Sequence, residues 1–226
     1  MVEKTRKLII GGDSAFAEIA YEYFTHDSDY EVVAFAVERE HMKTQSLFSL
    51  PVLPFETLEQ EADPAQHSVY VATVYTQLNR LRTRLSIEAK EKGFPLASYV
   101  SSRAFVWRNV SLGEHCFIFE DNTVQPFVRV GNNVVMWSGN HIGHHSSIGD
   151  NCFISSHVVI SGFVNVGESC FLGVNATVAN NLSIGRDCWV GPGAMILRDT
   201  PEATFYKPPK TETSSLSTLD RFKVRT

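Results

Sequence analysis

The segment Trp137-Ser138-Gly139-Asn140-His141-Ile142-Gly143-His144-His145-Ser146 carries three of the chain's eight histidines. An unperturbed imidazole titrates near neutrality, so a histidine beside a cleft is suited to general-base work. His144 is the candidate base, and His145 and Asn140 complete the candidate catalytic set. Two other uses stay open, hydrogen bonding across a subunit interface and a zinc site built from three histidines. The metal is disfavoured because adjacent His144 and His145 point in different directions, and none is assigned. His115 and His157 fall at other phases of the pattern below and receive no role.

The element that must hold these residues shows in the spacing around them. Every sixth residue from 112 to 196 is aliphatic, and Met136, Ile142, Ile148 and Ile154 carry the beat through the histidine segment. A period of six is neither helical nor that of an ordinary strand and requires a repeat architecture. Gly often follows the aliphatic residue (Gly131, Gly143, Gly149), and a small or β-branched residue usually lies four after it (Val134, Ser146, Cys152). This is the hexapeptide signature of a parallel β-helix, with three short strands per triangular coil of about 18 residues. His144 and His145 then project outward at or near a corner. Gly162, Asn180 and Arg198 follow His144 at successive coils, and Gly162 is expected to leave an open slot beside the imidazole.

Residues 1–100 read as a small α/β domain, 101–200 as the β-helix and 201–226 as a C-terminal tail. An apolar strand at 7–10 runs into Gly11-Gly12-Asp13, and Ser14 is placed to cap a helix carrying Phe16, Ile19, Ala20 and Tyr23. Apolar runs at 31–37, 68–73 and 94–100 predict further strands, and 77–92 predicts an amphipathic helix. Residues 50–61 read as a Pro-rich loop with a short helix. Alternating strands and helices indicate a parallel sheet of Rossmann-like type. The first loop is not G-x-G-x-x-G, and Asp13 opposes a close pyrophosphate, so the dinucleotide fingerprint fails and NAD is not expected. A nucleotide-linked ligand in the crevice remains, with Glu38 and Arg39 placed beside its ribose or base.

Composition narrows the partners. Net charge is −5 with no Lys/Arg run, which argues against nucleic acid, and no segment is long and apolar enough for a membrane or signal role. Cys116, Cys152, Cys170 and Cys188 share the small-residue slot of the repeat, so they read as core filler in a reducing, cytoplasmic protein. The tail, with Lys207-Pro208-Pro209-Lys210 and a Ser/Thr-rich run, reads as extended along a surface or partly disordered.

With these pieces in order, the chain resembles the NeuD/PglD family of sugar acyltransferases over essentially its full length. The resemblance rests on Ile9-Ile10-Gly11-Gly12-Asp13-Ser14, the short α/β domain, and the hexapeptide repeat with His144-His145-Ser146-Ser147-Ile148-Gly149-Asp150. The segment Cys170-Phe171-Leu172-Gly173-Val174-Asn175 also looks like the family's coil beside acetyl-CoA. The resemblance implies a left-handed β-helix and a homotrimer with its active site between adjacent chains. It implies an acetyl-CoA-dependent N-acetyltransferase of a nucleotide-linked amino sugar in surface glycan synthesis. Acetyl-CoA is the acyl-donor substrate, not a resident cofactor. By the same carry-over His144 is the general base, and Gly162, Val174 and Asn180 line the acetyl-CoA groove. Gly12, Asp13, Ser14 and Glu38 contact the nucleotide end of the acceptor.

Three residues depart from the family pattern. His145 stands where the family usually has an acid that orients the base, leaving Asn140 or a group of the next chain for that task. Ala15-Phe16 replaces the usual Gly-His, and the usual Gly-x-Pro-Ala-Lys ending survives only as Lys207-Pro208-Pro209-Lys210. The alternatives are O-acetylation of a sialic-acid-like sugar, a β-helical zinc hydratase, and a non-catalytic assembly protein.

Overall fold

Leu8, Ile9 and Ile10 have no exposed surface, as a strand covered on both faces requires. They lie in β1 (Arg6–Gly11) of a computed structural model that describes residues 3–224. Met1 and Val2 of the first range, and Arg225 and Thr226 of the tail, lie outside the described residues. From β1 the chain runs through α1 (Ala15–His26), β2 (Tyr30–Val37), β3 (Ser46–Leu47), β4 (Leu50–Pro54), α2 (Leu58–Glu61), β5 (His67–Val71) and α3 (Arg80–Glu91). The sheet order is β3-β4-β2-β1-β5, parallel except for the β3–β4 hairpin. Leu8 and Ile10 pack with Phe16, Ala20 and Phe24 of α1, and Ile9 packs with Leu85 and Ala89 of α3. That alternation places one helix on each side of the sheet.

Three local expectations need correction. Residues 50–54 form a strand, because the prolines at 51 and 54 flank Val52, whose amide reaches Gln45 O at 3.0 Å. The second long helix begins at Arg80, since Gln77, Leu78 and Asn79 turn to φ 52°, 50° and 68°. Tertiary contact overrides helical spacing there: Asn79 is fully buried and its side-chain amide donates to Cys170 O at 3.3 Å. The apolar run at 94–100 meets the first sheet only at a Val69–Leu96 bridge. Its end, Tyr99–Val100, pairs with Phe117–Ile118 in the second domain.

From there the hexapeptide pattern is realised as a left-handed parallel β-helix. Two-residue strands stack in three sheets, with His141–Ile142 beside Thr123–Val124 below and Val159–Ile160 above. The aliphatic residues fill the interior together with the four cysteines, all buried free thiols. Every sixth residue from 115 to 193 has positive φ, the third after each inward aliphatic, and this left-handed residue turns each corner. Asn, Asp and Gly suit that conformation; Phe127 (φ 65°) and Phe163 (φ 59°) do not.

The repeat also runs past its expected end at 199–201. Phe205–Tyr206 pairs with Trp189–Val190, and Thr200 bridges Ile184, closing a last coil two residues short. In the tail, Ser217 Oγ accepts from Asp220 N at 3.1 Å and starts the short helix Thr218–Arg221. No helix among the described residues is long and apolar enough to cross a membrane.

The first domain sits on one face of the prism, where Phe16, Phe24 and Tyr70 pack against Phe117, Phe119, Val135 and Phe153. Arg82 pins that junction from full burial. Its guanidinium donates to Asn133 Oδ1 (2.9 Å), Asn133 O (3.1 Å) and Cys152 O (3.3 Å). Burial lowers its pKa to about 10, so it stays charged at neutral pH. His115 lies beside it, donating from Nδ1 to Asn133 Oδ1 (2.8 Å) and accepting at Nε2 from Val71 N (2.8 Å). Burial pushes its pKa down to about 3 and keeps it neutral, which gives this histidine a structural role.

Candidate active site

His144 and His145 lie at the corner between the sheets of His141–Ile142 and Ser147–Ile148. Both side chains are exposed and their backbones are fixed. His144 N donates to Gln125 Oε1 (2.9 Å), His145 N to Pro126 O (3.1 Å), and Phe163 N to His144 O (3.0 Å). The two Nδ1 atoms are 3.1 Å apart with the rings nearly perpendicular. His145 is stacked between Phe127 and Phe163, with centroids 4.6 and 4.9 Å away. These phenylalanines sit 18 residues before and after it, so the coil period gives their position, although nothing in their local sequence marks them.

The expected slot over Gly162 is taken by the imidazole itself. A Cβ on Gly162 would lie 2.9 Å from His144 Cε1 and 3.0 Å from Nε2, so only glycine lets the ring lie there. Asn180 continues this column on the next coil, exposed. Asn140 does not orient His144. It is buried, its amide donates to Trp137 O and its Oδ1 accepts from Val158 N (2.7 Å), so it holds two coils together. Val174 precedes Asn175 on a different corner, that of Gly139 and His157. On one chain Gly162 and Val174 therefore cannot line the same groove. His141 faces outward from its strand, away from the corner pair, and no three His, Cys, Asp or Glu side chains converge among the described residues.

The first domain brings its four predicted residues together. Gly12, Asp13, Ser14 and Glu38 line one cleft at the C-terminal ends of the strands, with His41, Phe55, Thr73, Leu81 and Leu85. Gly12 has φ 123°, and a Cβ there would sit 3.1 Å from Ala72 O, so the turn needs glycine. Ser14 occupies the N-cap of α1 but makes no side-chain cap bond. Glu38 takes a bidentate bond from Arg84 (2.9 and 3.0 Å), a pairing invisible in the sequence. Arg39 turns away: its amide and guanidinium bond Glu56 and Thr57. At about 130 Å³ the cleft holds one end of a ligand, since whole small-molecule pockets run to about 300–1,000 Å³.

A larger cleft, about 430 Å³, lies between Glu22, Tyr23, His26, Asp27, Arg103 and Glu120, away from both sites. Its acids already have partners. Glu120 accepts from Tyr23 (2.7 Å) and Ser138 (2.6 Å), and Asp27 accepts from Tyr99 (2.6 Å) and Ser102 N (2.9 Å). Burial opposes ionisation of Asp27, but those bonds outweigh it and hold its pKa below the ordinary value.

No family model matches the chain, and no curated protein does. Solved structures do. The acetyltransferase domain of PglB from Neisseria gonorrhoeae FA1090 is similar at 24% identity and TM-score 0.80, over 89% of this chain and 96% of that one. It is also known in complex with acetyl coenzyme A. PerB of Caulobacter crescentus, a perosamine N-acetyltransferase in complex with CoA and GDP-perosamine, matches at 25% identity and TM-score 0.76 over 88% and 92%. WeeI from Acinetobacter baumannii AYE matches at 20% identity and TM-score 0.58, over 89% and 96%. These likenesses span both domains and bear out the expected fold and the resemblance to hexapeptide-repeat sugar acetyltransferases.

Proposed function

We propose that this chain, similar in fold to the hexapeptide-repeat sugar acetyltransferases, transfers acetyl from acetyl-CoA to the amine of a nucleotide-linked sugar. The observation that carries this reading is His144, its ring laid over Gly162 and its backbone clamped at an exposed corner. Acyl transfer to an amine needs a base at the nitrogen, a donor for the carbonyl oxygen and an exit for the thiol. His144 Nε2 takes the proton from the nitrogen as the N–C bond forms. The Gly162 N–H, without a partner among the described residues, is the backbone donor assigned to the developing oxyanion. Collapse breaks the C–S bond, and the proton passes from His144 to the departing CoA thiolate.

A second copy completes the site in this reading. Within one chain the first domain covers the face carrying Phe117, Val135 and Phe153, and the histidine corner is the vertex opposite that face. The nucleotide end, held by Gly12, Asp13, Ser14 and Glu38, therefore reaches a His144 of an adjacent chain. Acetyl-CoA lies in a groove formed by Gly162 and Asn180 of one copy and Val174 of the next. A homotrimer about an axis parallel to the three prisms supplies three such sites. Free, buried cysteines suit a reducing, cytoplasmic setting.

The test is CoA-thiol release with acetyl-CoA and a panel of UDP-, dTDP- and GDP-linked amino sugars, with hydroxyl acceptors alongside. Turnover of an amino sugar, lost in His144→Ala while the assembly stays intact, is expected. Full activity in His144→Ala removes the assigned base, and turnover of hydroxyl acceptors alone replaces the N-acetyl reading.

A further inference from the structure

We propose that His145 is the positioning residue for the base: its neutral Nδ1 accepts a hydrogen bond from the Nδ1–H of His144. This rests on the acetyltransferase reading for the task of His144, and on geometry for the pairing. Two ring nitrogens 3.1 Å apart are held by one shared proton. With none the lone pairs repel, and with two the N–H groups do. Only the tautomer with hydrogen on His144 Nδ1 leaves its Nε2 lone pair free for the acceptor amine.

The acceptor ring is held more firmly than an exposed side chain ordinarily is. Phe127 and Phe163 sandwich His145 at interplanar angles of 29° and 18°, and Phe163 also meets His144 edge-on at 5.0 Å. Both phenylalanines occupy the left-handed conformation found at every corner of the coil, which fixes where their rings leave the backbone. Among the described residues of one chain no carboxylate takes the place of His145: the groups touching the two rings or their amides are Gln125, Pro126, Phe127, Gly162 and Phe163, none of which ionises. By the coil period, the charged residues on the same corner are Arg108 two coils below, and Arg198 and Asp199 three coils above. At about 4.8 Å per coil they stand roughly 10 and 14 Å away, where screening is substantial.

A neutral acceptor has a consequence that a carboxylate does not. Protonating His145 removes its lone pair and sets a positive charge against His144, so a proton on either ring silences the base.

The experiment uses the intact protein, His145→Phe, which keeps the stack and loses the acceptor, and His145→Asp, which restores an acceptor with charge. Ring tautomers are read from nitrogen shifts by NMR, and kcat and KM across pH by thiol release. Expected in the unaltered protein is hydrogen on His144 Nδ1 facing a bare Nδ1 of His145. In His145→Phe that tautomer preference is lost, and kcat falls about tenfold or more with KM for acetyl-CoA little changed. His145→Asp recovers most of kcat and moves its acid limb to higher pH, because the carboxylate favours the imidazolium. The pairing is overturned if the His144 tautomer is the same with and without His145, or if His145→Phe leaves kcat and its pH profile unchanged. The paired tautomer without acetyl transfer to any acceptor would sink the acetyltransferase reading and leave the pair standing. Transfer without that tautomer does the reverse.

Discussion

Replacing Gly162 by alanine separates the activity of the histidine corner from the stability of the scaffold, because the two should move in opposite directions. The new Cβ would lie 2.9 Å from His144 Cε1 and 3.0 Å from Nε2, whereas carbon atoms settle at about 3.5–4.0 Å. The imidazole, free at its outer end, gives way by roughly 0.5–1 Å. A shift of that size carries the Nδ1–Nδ1 distance from 3.1 Å beyond the ~3.5 Å limit of a hydrogen bond. Misplacing a reacting group by about 1 Å costs up to about 100-fold, or about 2.7 kcal/mol at 1.36 kcal/mol per tenfold. The backbone pays no such penalty, since Gly162 lies outside the left-handed region. Alanine there trims unfolded-chain entropy and is worth about 0.4–1 kcal/mol. We therefore expect kcat for thiol release to fall ten- to hundredfold while the thermal midpoint holds or rises slightly. A kcat within twofold of the unaltered protein would refute the ring-over-glycine argument. So would a loss of activity that tracks a large drop in Tm.

Three further outcomes follow from the same geometry. Arg82→Met removes a buried guanidinium from Asn133 and Cys152 carbonyls, leaving acceptors unpaired; a loss of about 3 kcal/mol or more is expected in urea unfolding. His115 is held neutral with its pKa near 3, while in the unfolded chain it takes a proton near 6.5. The unfolded state thus binds more protons between those values. Its contribution is complete above pH 6.5 and is lost as pH falls toward 3, by about 1.4 kcal/mol per unit. Thermal midpoints between pH 7 and 4.5 should drop, and His115→Gln should flatten that limb; an unchanged slope would contradict the burial argument. Gly12→Ala forces a side chain into φ 123° against Ala72 O, at about 1–3 kcal/mol. The KM for the nucleotide sugar should rise well above any change in KM for acetyl-CoA, and equal changes in both would place the acceptor elsewhere.

The first-domain cleft was legible as a set: Gly12, Asp13, Ser14 and Glu38 do share one surface. Its partners were not, because the Glu38–Arg84 pair joins residues 46 apart that neither strand nor helix periodicity relates. Asn140 misled for the opposite reason. Its neighbours in sequence are chemical, but its side chain turns inward at the small-residue slot and ties Trp137 to Val158. Phe127 and Phe163 were within reach, since an 18-residue step from His145 finds both.

The periodic part of the molecule is written in the order of its residues. A six-residue aliphatic beat admits one stacking, because each inward side chain must meet its counterparts one coil above and below, and that alone places His144 and His145 at a corner. Which groups meet at that corner is a matter of packing in three dimensions. The ring of His144 lies over Gly162 and against His145, Arg82 is buried among carbonyls, and the first domain covers the face opposite the histidines. Those outcomes depend on side-chain direction and on contacts between residues far apart in the chain. Local pattern does not encode them.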